Sequence, residues 1–261
     1  MPTTLTPRRT RPTRVLATVA VIAVTGVGAV WVAQAGGAST TTNEAFTLDP
    51  GTSRLEIDID QGQVLLTAGP GDRVQVRRTV RDADRAPRVE ERADAHGASL
   101  QSRCPAWSGR ACSISYEIAV PAGFAIDVAA GTGRVEVHGL SVEKLQIEGS
   151  SGSTHLEDVK GSVEIHSASG SISGARLGLS EFVARAGSGR TSVDFTLPPD
   201  RVTATTSSGA VTIRVPAGDG PYRVAANSGS GEEDVQVPTD PASPHHIDLS
   251  SSSGDLAVLP Q

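Results

Sequence analysis

In the second half of the chain, seven pairs of small residues, Ser-Gly or Thr-Gly, follow one another at a nearly regular spacing. The glycines of these pairs are Gly133, Gly152, Gly170, Gly189, Gly209, Gly229 and Gly254. Their successive spacings are 19, 18, 19, 20, 20 and 25 residues. A repeat of about 20 residues is typical of solenoid folds, in which each unit packs only on its neighbours. The Ser and Gly residues are therefore predicted to be structural corners rather than a linker.

Aliphatic or aromatic residues flank these corners at alternate positions. Seven and five residues before the glycines stand the pairs Ile126/Val128, Leu145/Ile147, Val163/Ile165, Phe182/Ala184, Val202/Ala204, Tyr222/Val224 and Ile247/Leu249. Two and four residues after the first five glycines, the side chains are again mostly apolar. Such alternation predicts two short strands for each repeat. Because aromatic residues make up only 3% of the chain, the core between them must be thin. The predicted fold is an all-β, single-stranded β-solenoid (β-helix-like) of about seven short coils, covering residues 122–261.

Residues 45–121 show related alternation without the same period. One segment, "LEIDIDQGQVLL", fits the repeat once, with Leu55, Ile57, Gly62, Val64 and Leu66 at the expected positions. Residues 73–80 and 113–121 are also predicted strands, and the charged stretch 81–99 is predicted to be an exposed connection. Since the open end of a solenoid must be covered, residues 45–121 are predicted to form an N-terminal β cap.

The N-terminus carries a predicted membrane segment. Residues 1–14 contain four arginines and form a basic tail, and residues 15–35 are an uncharged, mainly apolar run. At about 1.5 Å per residue, a helix of this length spans a bilayer of about 30 Å. The positive-inside rule then places the tail in the cytoplasm and residues 36–261 outside, with residues 36–44 as a flexible tether. The alternative is secretion after cleavage near Ala35, where "AQA" resembles a signal-peptidase site.

The chain has two cysteines, Cys104 and Cys112, on either side of a short segment that contains Pro, Ser and Gly. In an exported protein such a pair predicts a disulfide. A metal site would require further Cys or His close by, and the nearest, His96, stands alone.

The order of these features resembles the bacterial putative-adhesin family, a domain of unknown function on membrane-anchored envelope proteins. The resemblance lies in the N-terminal anchor, the "LEIDIDQGQVLL" opening, the "YEIAVPAGFAIDV" entry to the repeats and the Ser-Gly coils that follow. It covers roughly residues 50–260. The resemblance implies a β-solenoid at the cell surface with a role in adhesion or envelope-stress signalling, and it supplies no catalytic residue.

Several clusters of polar residues are candidate sites. The repeat register places Glu136 beside His155 and His138 beside Glu157, and these types of side chain can bind zinc. Two exposed ion pairs are the favoured interpretation of this set. The acidic ridge Glu56, Asp58 and Asp60 is conceivable for calcium, but a solvated face is favoured. The pair His245-His246 is expected to lie in a loop. No cofactor is expected.

The charge distribution bears on the partner. The net charge is −6 although four arginines precede the first acidic residue, so the remainder of the chain is strongly acidic. Nucleic-acid binding is therefore not expected, because phosphate contacts need clustered basic residues. Hydrolase and phosphate-loop motifs are missing from the sequence. The favoured function is a non-enzymatic cell-surface module, adhesin-like or envelope-sensing, with an unknown envelope ligand. The alternative is a β-helix that binds or processes cell-wall carbohydrate, for which Trp107 is the one prominent candidate aromatic.

Overall fold

The computed structural model describes residues 40–82, 87–105 and 112–261, and it is all-β over these ranges. The first strands are β1 (Thr40–Leu48), β2 (Arg54–Ala68), β3 (Val74–Asp82), β4 (Arg88–Asp94), β5 (Gly97–Arg103), β6 (Ser113–Val120), β7 (Phe124–His138) and β8 (Ser141–Glu157). They are followed by β9 (Lys160–Ser188), β10 (Thr191–Phe195), β11 (Arg201–Ser208), β12 (Val211–Val215), β13 (Arg223–Ser228), β14 (Glu233–Val235), β15 (His246–Ser253) and β16 (Leu256–Pro260). All sixteen belong to one hydrogen-bonded sheet.

Successive coils pair in parallel, and the corner glycines lie directly over one another. Gly62 pairs with Gly133, Gly133 with Gly152, and Gly152 with Gly170. At Gly152 the backbone φ is 152°, and a Cβ there would overlap the carbonyl oxygen of Gly133. The prediction that glycine is needed at the corner is therefore confirmed, since any side chain would separate the stacked coils.

Each coil bends at its corner, so that the strand segments before and after the glycine enclose the core. The predicted inward positions are buried: Ile126, Leu145 and Val163 before the corner are at most 1% exposed, as is Ile172 after it. The rings of Phe182 and Phe195 lie on opposite sides of one corner and meet edge to face, with centroids 6.0 Å apart. The outer surface of the segments before the corner is called face A here, and that of the segments after it face B.

The coils do not stack in the order of the sequence. The last coil, β15–β16, lies between the β11–β12 coil and the β13–β14 coil, because β15 pairs with both β11 and β13. β16 likewise pairs with β12 and β14. The penultimate repeat in the chain therefore forms the end of the stack.

The sequence register of this end coil was wrong by two residues. Strand pairing aligns Val224 with Ile247 and Ala226 with Leu249. The position stacked on Gly254 is consequently Gly231 rather than Gly229. The local sequence contains two Ser-Gly pairs, Ser228-Gly229 and Ser230-Gly231, and only the neighbouring coil decides which one forms the corner.

The N-terminal region continues the same stack. β2 forms a complete coil on β7, as the match of "LEIDIDQGQVLL" predicted. β5 and β6 pair with the two halves of β2 and form the next coil. The predicted strands at 73–80 and 113–121 are confirmed as β3 and β6. The predicted exposed connection at 81–99 was wrong in part, because it contains β4 and the start of β5, which pair antiparallel.

A buried ion cluster holds the two sides of this end together. Arg78 on β3 points inward and forms ion pairs with Glu44 on β1 and Glu91 on β4. Burial raises the pKa of the Glu91 carboxyl, an effect that Arg78 opposes. Burial also raises the pKa of Tyr116, whose hydroxyl lies 3.4 Å from Glu91 Oε1. Glu44 and Arg78 lie opposite each other on the paired strands β1 and β3, and the Arg78–Glu91 ion pair connects β3 to β4, with which β3 does not pair.

Residues 1–39 lie outside the described ranges, and with them the basic tail, the predicted membrane span at 15–35 and most of the predicted tether. Across the described ranges, no helix is long and apolar enough to cross a membrane. Residues 40–44 were predicted to belong to the flexible tether 36–44. They instead begin β1, which pairs antiparallel with β3 and covers its edge.

Candidate functional site

Face A carries a shallow groove that runs across several coils. One cavity of about 600 Å³ and one of about 450 Å³ open on this face, and both are lined by Asp58, Ala129 and Glu148. These residues lie on β2, β7 and β8, which are adjacent strands. The groove exists because β7 presents the small residues Ala129 and Gly131 between neighbouring coils with longer side chains.

The N-terminal side of the groove is acidic but largely neutralised by arginine. Arg103 forms ion pairs with Asp58 and Asp60. Arg54 pairs with Glu56 through Nε and with Asp127 through Nη2, at 3.2 and 3.0 Å. The ridge Glu56, Asp58 and Asp60, considered above for calcium, therefore has arginine partners, and each of its carboxylates lies on the exposed face. Arg103 was not singled out from the sequence, because the order of the coils that brings it to Asp58 is not visible there.

The groove also contains a carboxylate without a cationic partner among the described residues. Glu148 lies between Ala129 and His166 in the strand register. Its Oε1 is 3.5 Å from the amide nitrogen of Gln146, at the limit of a hydrogen bond. Glu148 therefore remains able to accept hydrogen bonds from a ligand in the groove.

The opposite side of the groove is basic. Arg185 Nη1 lies 2.8 Å from Glu164 Oε1, and Lys144 Nζ lies 3.1 Å from Glu164 Oε2. His166 Nε2 is 3.0 Å from the same Glu164 Oε1. Hydrogen bonds from His166, Lys144 and Arg185, in that order of effect, lower the pKa of Glu164 to about 2. His166 and Arg185 also line the larger cavity, so the groove presents acidic and basic groups on opposite sides.

The four residues considered for zinc lie on face B. The strand register pairs Glu136 with His155 and His138 with Glu157, at the positions expected from the repeat. His138 Nδ1 is 2.9 Å from Glu157 Oε2, and its Nε2 is 3.8 Å from Glu136 Oε2. His155 Nδ1 instead lies 3.0 Å from the hydroxyl of Ser173.

A further arginine, which the repeat pattern did not point to, binds this cluster. Arg176 Nη2 lies 2.6 Å from Glu157 Oε1 and 2.7 Å from Asp158 Oδ2. Hydrogen bonds from Arg176, and secondarily from His138, lower the pKa of Glu157. In the described ranges, no group of three or more His, Cys, Asp or Glu side chains is arranged to hold a metal ion. The geometry of the four residues is that of ion pairs and hydrogen bonds.

Two smaller expectations can be compared with the structure. Cys104 and Cys112 form the predicted disulfide, which closes the connection between β5 and β6. Trp107 lies within that connection, outside the described residues. His246 is the first residue of β15 rather than a loop residue. His245 precedes this strand and its Nδ1 lies 2.9 Å from the carbonyl oxygen of Pro199.

Parallel coils with a glycine corner and an open polar face define the class of the chain, a β-solenoid protein. The chain belongs to the Toastrack DUF4097 family, which matches residues 124–259. This confirms the resemblance noted from the repeats. No curated protein matches the chain significantly.

Solved structures of low sequence identity resemble the fold. They include a "putative cell adhesion protein" of Clostridium sporogenes at 10% identity, covering 85% of this chain and 100% of the other, with a TM-score of 0.39. A "putative adhesin" of Bacteroides fragilis has 12% identity, 85% and 97% coverage and a TM-score of 0.39. Another from Parabacteroides distasonis has 13% identity with the same coverages and TM-score.

Proposed function

We propose that this chain is a non-enzymatic cell-surface module, adhesin-like or envelope-sensing, that binds an extended envelope ligand in the groove of face A. The groove is the observation that carries the proposal. It is open along its length, and its lining alternates carboxylates, amides and hydroxyls with the basic groups of His166 and Arg185. Such a surface offers many hydrogen-bond partners to a polar polymer without enclosing it.

The predicted N-terminal span and the disulfide support a location outside the cell membrane. Disulfides persist mainly in exported proteins, and Cys104 and Cys112 are bridged. β1 lies at one end of the strand order and is the described strand that follows the predicted span. The stack would then extend from the membrane with face A accessible along its side.

The ion pairs of the acidic residues on face A support binding rather than chemistry. Asp58 and Asp60 are held by Arg103, and Glu164 is held by three basic groups. These three partners lower the pKa of Glu164 to about 2 and leave its carboxylate engaged in ion pairs and hydrogen bonds. The second candidate, carbohydrate processing, is favoured by one observation: the carboxylates of Asp58, Asp60 and Glu148 line the same cavity.

The experiment compares a tryptophan substitution that fills the groove with the same substitution on face B. Purified full-length chain in mild detergent is incubated with isolated cell-wall polysaccharide, and both retained protein and newly formed reducing ends are measured. Ala129→Trp should abolish retention because the indole occupies the groove. Ala257→Trp, at a similarly half-exposed outward position of β16, should retain the wild-type level. Equal retention by both variants would disprove the groove as the binding site, and release of reducing ends would show an enzyme.

A further inference from the structure

Three basic residues form a row on face A at the end of the stack farthest from β1. Strand pairing places Arg201 of β11 opposite His246 of β15, and His246 opposite Arg223 of β13. Both arginines are exposed and the histidine is half-buried. With strands about 4.8 Å apart, the two arginines are separated by about 10 Å at the backbone. The row exists only because the last coil is inserted between the two others.

The residues of the row differ in their ion pairing from the basic residues at the equivalent strand position of other coils. Arg54 and Lys144 occupy the equivalent strand position in their coils, and both form ion pairs with carboxylates. In the described part of the chain, none of the Arg201, His246 and Arg223 side chains forms an ion pair or hydrogen bond.

Acidic residues border the row without neutralising it. Glu181 is opposite Arg201 on the preceding coil, and Asp248 follows His246 on the same face. Among the described residues, neither carboxylate lies within 4.0 Å of a basic group of the row. Both carboxylates reduce the local positive potential, so binding of an anion depends on direct contact with the donors of the row.

We propose that Arg201, His246 and Arg223 bind the phosphate groups of a phosphodiester-linked envelope polymer. A guanidinium group binds phosphate through two parallel hydrogen bonds, and the free oxygens of the phosphate can accept further bonds from a neighbouring donor. A single carboxylate would be satisfied by one arginine. Three donors in a row over about 10 Å therefore match a chain with successive phosphates better than one small anion. This inference deepens the proposed function and rests on it for the location of the polymer.

The test measures binding of poly(glycerol phosphate) to the purified full-length chain by calorimetry at low salt. Arg201→Gln and Arg223→Gln are each expected to weaken binding about tenfold, because each removes a charge-assisted contact. Arg190→Gln is the matched control, since Arg190 is also exposed and, within the described ranges, without a side-chain partner, but lies beside the corner Gly189, away from the row. Unchanged melting temperatures establish that the variants fold.

Equal binding by all three variants, or no binding by the wild type, would overturn the proposal. Binding to phosphatidylglycerol vesicles but not to the soluble polymer would also overturn it, because the source of phosphate would then be a lipid headgroup. The result is separable from the groove experiment. If Ala129→Trp abolishes polysaccharide retention but the wild type does not bind poly(glycerol phosphate), the proposed phosphate site is wrong. The proposed function as a surface module is then unaffected.

Discussion

The stacked glycine corner makes a prediction that compares Gly152 with two other glycines, Gly149 on the same strand β8 and Gly139 in the connection before it. In Gly152→Ala the new methyl group would overlap the carbonyl oxygen of Gly133, and φ is 152°, a conformation that alanine avoids. Gly139 also has a positive φ, 65°, but no atom lies within 4 Å of the position that a Cβ would take. At Gly149 φ is not in the left-handed region, and the nearest atom is 3.9 Å from that position. The three sites therefore separate backbone strain from coil contact.

The magnitudes follow from these differences. Gly149→Ala should change the free energy of unfolding by no more than about 0.5 kcal/mol. Gly139→Ala should cost about 1–2 kcal/mol, the strain of a left-handed alanine. Gly152→Ala adds to a comparable strain the loss of at least two hydrogen bonds between β7 and β8, each contributing about 0.5–1.5 kcal/mol net. The total cost is about 2–5 kcal/mol.

The assay is urea unfolding of the full-length chain, followed by far-UV circular dichroism. The expected order of midpoints is Gly149→Ala highest, then Gly139→Ala, then Gly152→Ala. If Gly152→Ala were no less stable than Gly139→Ala, close contact of the coils at the corner could not be what requires glycine there.

Three further predictions concern other parts of the stack. Ile165→Asp should destabilise the chain by roughly 5 kcal/mol, because a fully buried side chain is replaced by an unpaired carboxylate; Ser171→Asp, exposed in the same coil, should leave the melting temperature unchanged, and equal melting temperatures would refute the register. Arg78→Ala should cost about 3–5 kcal/mol in urea unfolding, since two carboxylates lose their buried partner, and a loss below about 1 kcal/mol would show that the cluster does not hold this end. The ionised Glu164 carboxyl contributes stability above its ordinary pKa of 4.5, and this stability is lost as pH falls toward 2. In Glu164→Gln the free energy of unfolding should therefore fall less between pH 4.5 and pH 2 than in the wild type, and an equal fall would contradict the ion pairs of Glu164.

Much of the candidate site follows from the coil register, which the repeats allowed to be predicted. The pairing of His138 with Glu157 required only the 19-residue spacing of two adjacent corners. The contacts of Arg103 with Asp58 and of Arg185 with Glu164 were not predictable in the same way. They depend on which coil is the neighbour and on how long side chains turn across the face, and neither is encoded in the repeat.

The sequence by itself determined the unit of this fold and the side of each strand that faces the core. That information is local: alternation of apolar residues sets the buried face, and a glycine at a fixed distance sets the corner. Only the tertiary structure decided the order of the coils, the choice of Gly231 over Gly229 and the row formed by Arg201, His246 and Arg223. The physical reason is that every coil presents nearly the same backbone edge and the same apolar interior. Strand pairing alone is therefore compatible with several orders of the coils, and the packing of whole coils against one another determines which order forms.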